Sequence, residues 1–503
     1  MRLGNEHPLF RFGNGCAINI VKLVVEIGPR IQHVGVFRFE KKFQIPGFFL
    51  QTEFLADFAD GGFPTGISGG NVPGTARVVK VRIVLLVVCA LLKKNVALFV
   101  EKPNMYGPMP KAQTVDVAPF ADVARFPSAG IQNVDSFFHK NSPGNFTGKI
   151  YLFIMNGKFE EALNGLFENA IADGIFSKAV VGFVSPGGFD VRAFGTPEDS
   201  LFDIASVTKV CPTSTLALKR ILEGRLDLDS PVLKFIPELR TNYREEILVR
   251  HLLTHSLDYR VPMSSLKDFP PEKILDSLFT YHFKRFPGTV FNYGNPSSIL
   301  LGIVLMRLSG KSLSDMAECE FFGPLGMERS GWDPLRKFPK EEIVATEEDA
   351  WRGGTVQGEI HDESAFVLRK FFPVGSAGMF STVPDLLKFV QMILGDGESN
   401  GRRIMPAGVL KMVSTNALSG RVPGACTALG WELDAEKFMG RVHGPRMFGK
   451  TGFTGSSIVA DAESKRAVVL LSNFTYPHRE PSAERINAFR SKLSELTFEN
   501  GEI

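Results

Sequence analysis

Hydrophobic residues recur at helical spacing just after Met155. From Phe159 to Ile171 the apolar positions fall three or four residues apart with polar positions between them, which predicts an amphipathic helix. The next stretch, Lys178 to Val184, is predicted to be a strand. A Ser-Pro-Gly-Gly turn follows it, and Val191 to Phe194 returns as the hairpin partner.

Helical patterns fill the middle of the chain, for example Val210 to Glu223 and Ser297 to Leu308. Near the end, two strands are predicted over Ser456 to Ala460 and Ala467 to Leu471, and a last helix over Ser482 to Leu496. Strands therefore occur at both ends of the part of the chain that follows Met155, with helices between them. We predict that the two ends form one sheet and that a helical domain is inserted into it.

Residues 1–154 show no such agreement between local patterns, and we assign them no fold. Their apolar runs lack a consistent period, and the run Ile83 to Leu92 is about half as long as a membrane span. Three interpretations stay open: an extra domain of unknown type, a disordered segment, or a reading frame begun too far upstream with Met155 as the true start. We favour the last, because local and global signals agree in an evolved sequence. The second domain is then 155–503.

The composition is that of a globular chain with room for two or three domains, since 22% of its 503 residues are charged and 44% are hydrophobic. The net charge of +3 is too small to indicate a nucleic-acid partner. Five scattered cysteines without a Cys-x-x-Cys pair argue against a disulfide framework and against a zinc site. No secretory signal is visible, so we expect a cytoplasmic protein without an integral membrane segment.

A serine stands three residues before a lysine in Ser206-Val207-Thr208-Lys209. On a helix this spacing puts a hydroxyl and an amine on one face, so that the amine can take the proton of the hydroxyl. The helical pattern that follows predicts Ser206 at a helix N-terminus, where backbone N–H groups favour negative charge. The alternative is a capping serine beside a surface lysine. A second copy, Ser264 and Lys267, lies in a proline-bounded loop, and chance alone gives roughly one or two such matches in a chain of this length.

Two further motifs follow along the chain. Tyr293-Gly294-Asn295 lies in a compact loop before a helix, which is a good place for a phenol that shuttles protons; a buried tyrosine beside a turn asparagine is the alternative. Lys450-Thr451-Gly452 lies among glycines directly before a strand. Those glycines would let a substrate backbone approach the strand edge, whereas the alternative is a plain glycine-rich turn.

In this combination and order, the sequence resembles the β-lactamase and penicillin-binding serine hydrolases. The branch is the one that holds class C β-lactamases, D-alanyl-D-alanine carboxypeptidases and related esterases. Other stretches fit the same family, and they are Arg250 to His255, Phe322 to Met327 and Gly375 to Thr382. The resemblance covers about Met155 to Leu496. It implies an α/β (α+β), β-lactamase-like fold with an antiparallel sheet flanked by N- and C-terminal helices and an inserted all-helical domain.

The resemblance also implies roles for the motif residues. Ser206 is the expected nucleophile that becomes acylated, Lys209 the amine that activates it, and Tyr293 the phenol or phenolate that passes protons to the leaving group. Asn295 is expected to hold the substrate amide or Lys209. Lys450 is expected to keep the environment of Tyr293 positive and to steer a substrate carboxylate.

Substrate binding is expected to extend to Thr451, Gly452 and Phe453. The backbone N–H groups of Ser206 and Phe453 would form the oxyanion hole, where one donor often lowers the barrier by about 3 kcal/mol. No cofactor and no metal are expected.

Some patterns depart from the family or fit it poorly. After His255 the family usually has Thr-Ser-Gly-Leu, whereas this chain has Ser-Leu-Asp, so we expect a changed pocket mouth. His251 and His255 stand four apart without an acidic third ligand, which favours packing or capping over metal binding. The run from His361 to Glu363 is interpreted as a polar loop bordering the pocket. A Gly-x-Ser-x-Gly match at Gly66 to Gly70 is bracketed by prolines and is interpreted as a flexible loop.

The function that we predict is a serine hydrolase working through an acyl-enzyme on Ser206, with ester, D-amino-acid peptide or β-lactam substrates. Its partner would be a small-molecule or peptide acyl donor. One alternative is a true class C-like β-lactamase with fast deacylation. The other is a catalytically silent penicillin-binding-like receptor, which has no reason to keep Lys209, Tyr293 and Lys450 together.

Overall fold

The computed structural model describes residues 21–27, 30–37, 48–56, 79–87, 97–101, 150–152, 157–186 and 188–499. The chain divides into two units, Met1–Ile154 and Met155–Ile503. None of the helices in the described ranges is long and apolar enough to cross a membrane.

The described part of the first unit consists of strands that the sequence pattern did not predict. Two antiparallel sheets form, in the strand orders β2-β1-β6 and β3-β4-β5. The apolar run that begins at Ile83, too short for a membrane span, lies partly in β4. The strands are β1 Val21–Ile27, β2 Arg30–Phe37, β3 Phe48–Ala56, β4 Val79–Val87, β5 Ala97–Glu101 and β6 Ile150–Leu152.

The second unit is built on a six-stranded antiparallel sheet in the order β15-β16-β17-β18-β7-β8. The early hairpin pairs directly with the last strand, because Val181 lies opposite Leu470. The prediction that both ends of this half share one sheet is therefore confirmed. The strands are β7 Ala179–Ser185, β8 Gly188–Phe194, β9 Phe202–Asp203, β10 Glu347–Asp349, β11 Gly354–Val356, β12 Phe380–Ser381, β13 Glu398–Ser399, β14 Arg402–Arg403, β15 Glu432–Leu433, β16 Met447–Thr451, β17 Ser457–Asp461 and β18 Arg466–Ser472.

Helices cover both faces of this sheet and fill the inserted region between β9 and β15. The first and last helices match the predicted ones to within a few residues. The helices are α1 Gly157–Ala172, α2 Thr215–Leu222, α3 Val249–Leu253, α4 Pro271–Phe279, α5 Asn295–Ser309, α6 Leu313–Ala317, α7 Gly323–Leu325, α8 Glu363–Leu368, α9 Val383–Leu394, α10 Val409–Ser414, α11 Glu436–Met439 and α12 Glu484–Glu499.

The sheet separates two hydrophobic cores. Alternation along β7 sends Val181 and Phe183 to the core beneath α1 and α12, and Val180 to the core beneath the inserted helices. In the first of these cores, Phe167 of α1 meets Phe489 of α12 edge to face, with ring centroids 5.0 Å apart. This three-layer packing holds β16 and the residues that follow it in a rigid position.

One predicted helix differs in the structure. The expected helix from Val210 to Glu223 begins only at Thr215, because Pro212 lacks an N–H and the backbone at Cys211 is not helical. The five residues Ala205–Lys209 form a separate tight 3₁₀ turn. Ser206 therefore lies in a short turn before α2 rather than at the first turn of a long helix.

Candidate active site

The turn that carries Ser206 has a strained backbone that its neighbours hold in place. Ala205, directly before the serine, has a φ of 46°, in the left-handed region that is costly for a residue with a Cβ. The buried Asp203 carboxylate accepts a hydrogen bond from the N–H of Ala205 at 2.7 Å and from that of His361 at 2.8 Å. These bonds fix the turn, and Ser206 remains partly exposed.

Lys209 lies completely buried below Ser206. Its Nζ is 2.8 Å from each of three oxygens, which are Ser206 Oγ, Asn295 Oδ1 and the Ser376 carbonyl oxygen. The Ser376 carbonyl can only accept. Asn295 also presents an acceptor, because its Nδ2 donates to Asp362 Oδ2 at 2.8 Å.

This arrangement determines what a neutral Lys209 does. A neutral amine has two N–H groups and one lone pair, and the two N–H groups are needed by the acceptors Asn295 and Ser376. The lone pair is then directed at the hydroxyl of Ser206, which can donate to it. The geometry is that of a nucleophile with its general base.

Tyr293 lies beside both lysines of the motif set. Nζ of Lys450 is 3.9 Å and Nζ of Lys209 is 5.3 Å from the centroid of its ring. The ring is 42% exposed, but the two lysines are buried and therefore contact its inner side, where water does not screen them. Lys450 in turn donates to Glu432 Oε1 at 2.9 Å.

The two lysines have opposite pKa shifts. Burial is the largest cause at Lys209 and lowers its pKa; Lys450 adds to the fall, and Tyr293 and Asp362 oppose it. Burial would also lower the pKa of Lys450, but Glu432 and Tyr293 outweigh it and the pKa lies above its ordinary value. Lys209 is thus suited to act as a base, while Lys450 stays a cation.

The phenol of Tyr293 is shifted towards the phenolate. Burial of the hydroxyl would raise its pKa, but the positive charges of Lys209, once it is protonated, and of Lys450 outweigh burial and lower it, and the hydrogen bond to Ser206 acts in the same direction. A phenol with a lowered pKa can exchange protons with a leaving group at lower pH than a free tyrosine can.

Lys450 and Thr451 lie within β16, whereas the sequence pattern placed this motif among glycines directly before a strand. Lys450 is opposite Ile458 of β17, and on the other side β15 pairs only as far as Gly449. Beyond Gly449 no strand in the described ranges covers that edge. A substrate backbone can therefore approach the edge at Thr451.

The glycine of this motif is required by the protein's own packing. A Cβ at Gly452 would lie 2.1 Å from Ser456 Oγ and 2.5 Å from the Ile204 carbonyl oxygen. The buried Arg490 of α12 donates to the carbonyl of Gly452 at 2.8 Å. The motif is thereby fixed against the strand that leads to Ser206, which adds a second reason for glycine besides substrate approach.

The backbone N–H groups of Ser206 and Phe453 are both free of protein acceptors in the part of the chain that the structure describes. The Phe453 ring is 51% exposed and stacks on His361, with centroids 5.8 Å apart. Both N–H groups are therefore available to an acceptor outside the protein, which is what an oxyanion hole requires of its donors.

The family model for beta-lactamases matches residues 176–491, which is more than half of the chain. This chain belongs to the β-lactamase family. It is accordingly a serine hydrolase, and the resemblance seen in the three motifs is confirmed.

Individual members of the family are distant from this chain. An Escherichia coli (strain K12) protein, provisionally named a D-alanyl-D-alanine carboxypeptidase, is 26% identical over 322 residues, covering 58% of this chain and 73% of the relative. A beta-lactamase/D-alanine carboxypeptidase from Pseudomonas syringae is 19% identical and covers 69% of this chain and all of that chain, with a TM-score of 0.53. EstCE1, a hydrolase with promiscuous acyltransferase activity, is 21% identical over 66% of this chain and 98% of its own, with a TM-score of 0.51. These two structures show the shared β-lactamase fold.

Several residues around the site were missed by sequence reasoning. Glu432 carries no motif of its own, and Ser376 lies in one of the stretches that fit the family but was given no role. Asp362 belongs to the run from His361 to Glu363, which was interpreted only as a polar loop bordering the pocket. His255 was assigned to packing or capping, and its buried ring does pack against that of Tyr293, with centroids 4.9 Å apart; the neighbourhood of the site was not foreseen. Its carbonyl accepts from the N–H of Asn292 at 2.8 Å, so the unusual segment after His255 is buried and supports the Tyr293 loop.

The weaker motif matches lie elsewhere or have local roles. Lys267 of the second Ser-x-x-Lys copy lies over the ring of Trp351, at 5.1 Å from its centroid. His251 Nδ1 accepts from the N–H of Leu248 at 3.2 Å and caps α3, as expected for capping. The Gly66 to Gly70 match lies outside the described residues.

Proposed function

We propose that the protein hydrolyses acyl substrates through a covalent acyl-enzyme on Ser206. The observation that carries the proposal is the 2.8 Å contact between Lys209 Nζ and Ser206 Oγ, with the other two contacts of the amine made to acceptors. The silent-receptor alternative is less well supported, because binding alone does not need a buried amine with a lowered pKa beneath the serine.

In acylation, neutral Lys209 takes the proton of Ser206 as Oγ bonds to the acyl carbon. The negative charge that develops on the acyl oxygen is stabilised by the N–H groups of Ser206 and Phe453. Tyr293 gives its proton to the leaving group as the bond to that group breaks, and the proton on Lys209 restores the phenol. In deacylation, neutral Lys209 takes a proton from water as the water oxygen bonds to the acyl carbon, and it gives that proton to Oγ of Ser206 as the bond between Oγ and the acyl carbon breaks.

The substrate is proposed to be a small-molecule or peptide acyl donor, that is, an ester, a D-amino-acid peptide or a β-lactam. We expect short esters or D-amino-acid peptides to be hydrolysed faster than β-lactams. The support is that the sequence departs from the family directly after His255, whose carbonyl accepts from the N–H of Asn292, next to Tyr293. A change there affects the position of the phenol that is proposed to protonate the leaving group. Lys450, the residue expected to steer a substrate carboxylate, is only 1% exposed and paired with Glu432. Its positive charge is therefore partly neutralised before a substrate carboxylate arrives.

The test is covalent labelling by a fluorophosphonate, followed by intact-protein mass spectrometry. Wild type is expected to gain one label, and Ser206→Ala none. Ser264→Ala is the matched control, because it removes the serine of the second Ser-x-x-Lys copy and should label like wild type. Equal labelling of wild type and Ser206→Ala would refute the nucleophile.

A second measurement compares kcat/KM for a short p-nitrophenyl ester, a D-alanyl peptide and a cephalosporin. A higher value for the ester or the peptide supports the proposed preference. A higher value for the cephalosporin would favour the class C-like β-lactamase instead.

A further inference from the structure

We propose that Asp362 is a positioning residue for this hydrolase, which fixes the orientation of the Asn295 amide and thereby directs the amine of Lys209 at Ser206. The inference rests on the proposed roles of Ser206 and Lys209. It adds a residue that no motif in the sequence marks.

The need for such a residue comes from the symmetry of an amide. An asparagine can present either its oxygen or its NH₂ group to a neighbour, and the two ends have nearly the same shape. If Asn295 were turned over, its NH₂ group would face Lys209 Nζ, and the amine would lose an acceptor. One N–H group of Lys209 would then have no acceptor at Asn295 and could turn towards Ser206. The lone pair would no longer be directed at the hydroxyl of Ser206.

Asp362 decides between the two orientations. Its Oδ2 is 2.8 Å from Asn295 Nδ2, and a carboxylate can only accept. The NH₂ end of Asn295 is therefore held on the side of Asp362, and Oδ1 faces Lys209 at 2.8 Å. Asn295 lies at the start of α5, so its own backbone is fixed by that helix.

Asp362 is itself anchored through its other oxygen. Its Oδ1 accepts from the N–H of Ala365 at 2.8 Å, which caps α8, and from the hydroxyl of Ser364 at 2.6 Å. Donors thus approach both carboxylate oxygens. An asparagine at this position has a single acceptor oxygen and can satisfy only one side, either the cap or Asn295.

The charge of Asp362 also acts on Lys209. The charged groups that face this lysine are Tyr293, Lys450 and Asp362, and Asp362 raises its pKa. Removal of the carboxylate charge is therefore expected to lower the pKa of Lys209 further. A base with a lower pKa is deprotonated at lower pH, so the acid limb of the rate profile should move towards lower pH.

Two substitutions separate positioning from helix capping. Asp362→Asn keeps the shape but has one acceptor oxygen. Asp362→Ser keeps a good capping group for Ala365, but its hydroxyl is too short to reach Asn295. Ser312→Ala is the matched control, because Ser312 caps α6 through the N–H of Asp315 and does not touch the site.

We expect both Asp362 variants to lose on the order of 10²-fold in kcat on a p-nitrophenyl ester, since a misdirected amine leaves the near-attack geometry. KM should change far less, and the acid limb of kcat/KM should move to lower pH. Ser312→Ala should lose some thermal stability while keeping the wild-type kcat and pH profile.

The proposal is overturned if Asp362→Ser keeps the wild-type kcat and pH profile. It is also overturned if the loss of activity in the Asp362 variants follows their loss of thermal stability while the acid limb stays in place, because that would be a structural role. Fluorophosphonate labelling of wild-type Ser206 is measured in the same series. Its absence would refute the proposed nucleophile, a result that is distinct from a failure at Asp362.

Discussion

Glu432→Gln is a sharp test of how this site holds its second cation. Glu432 lies on β15, opposite Gly449, and its carboxylate bridges two lysines. Oε1 is 2.9 Å from Nζ of Lys450, which is 1% exposed, and Oε2 is 2.7 Å from Nζ of Lys437, which is 59% exposed. The substitution keeps the shape of the side chain and removes its charge, so that Lys450 is left buried without a counterion.

The expected loss of stability can be obtained in two ways. Burial would raise the pKa of Glu432, but Lys450 and Lys437 outweigh burial and lower it from 4.5 to about 2. A difference of this size corresponds to about 3 kcal/mol of unfolding free energy, at roughly 1.36 kcal/mol for each pKa unit. Removal of one partner from a buried ion pair typically costs about 3–5 kcal/mol, which agrees with the first value.

The pH dependence has a definite sign. Because the folded-state pKa of Glu432 lies below its ordinary value, the stabilisation is fully present above about pH 4.5 and is lost as the pH falls towards 2. The stability difference between wild type and Glu432→Gln should therefore be near 3 kcal/mol at pH 7 and clearly smaller at pH 3.

Urea unfolding followed by tryptophan fluorescence measures this difference. All three tryptophans lie in the second unit, and Trp431, next to Glu432, is fully buried. Lys437→Met is the control, because it removes only the exposed ion pair of Glu432 and leaves the buried pair with Lys450. It should lower the free energy of unfolding by at most about 1 kcal/mol. A loss of unfolding free energy below about 1 kcal/mol for Glu432→Gln at pH 7 would show that water screens the ion pair. A loss at pH 3 as large as that at pH 7 would show that the carboxylate charge is not the source of the stabilisation.

Three further predictions concern the reaction and the folded unit. Lys209→Ala and Tyr293→Phe should each lower kcat by orders of magnitude. The double variant should lose far less than the product of the two factors, because the effects of residues that act as one unit are not additive. Losses that multiply independently would show that the two residues do not share a proton relay. Gly452→Ala should lower kcat on the order of 10²-fold by displacing the turn before Ser206, whereas Gly444→Ala, where a Cβ would meet nothing within 4 Å, should resemble wild type in the same assay. A shortened chain that begins at Met155 should unfold cooperatively and hydrolyse an ester at the rate of the full chain, because each site residue named above lies after Met155. Aggregation or inactivity of the short chain would show that residues 1–154 are a required partner domain.

The regular elements of the second unit were predictable because each has a strong period of its own. The run from Phe159 to Ile171 buries Phe159, Leu163, Phe167 and Ala170 on one face, as helical spacing requires. The first strand of the hairpin and the last two strands were found within about one residue of their observed bounds for the same reason, whereas β8 begins three residues before the predicted Val191. The break at Pro212 was missed because the apolar pattern continues through it.

The short elements of the site could not be predicted in this way. β15 has two residues, so no alternation can reveal it, yet its pairing with β16 is what brings Glu432 to Lys450. The partners of Lys209 come from the start of α5 and from a carbonyl before β12, 86 and 167 residues further along the chain. Such contacts depend on tertiary packing and have no local signature. The three motifs nevertheless predicted that Ser206, Lys209, Tyr293, Asn295 and Lys450 lie together, and the structure brings them together.

The arrangement of partners explains how two lysines at one phenol can serve opposite purposes. A single lysine cannot be both a cation and a base, and both amines here are buried, which by itself would lower both pKa values. The difference lies in what each amine contacts. Lys209 contacts three neutral oxygens, with its carboxylate Asp362 one residue removed behind Asn295, so burial dominates. Lys450 contacts the Glu432 carboxylate directly, so its charge survives burial and keeps Tyr293 near a cation throughout the reaction. The two lysines therefore differ in one respect: the Asn295 amide lies between Lys209 and its carboxylate, whereas nothing lies between Lys450 and Glu432. This difference makes Lys209 the base and Lys450 the permanent cation, so substitutions at Asp362 and Glu432 test the two roles directly.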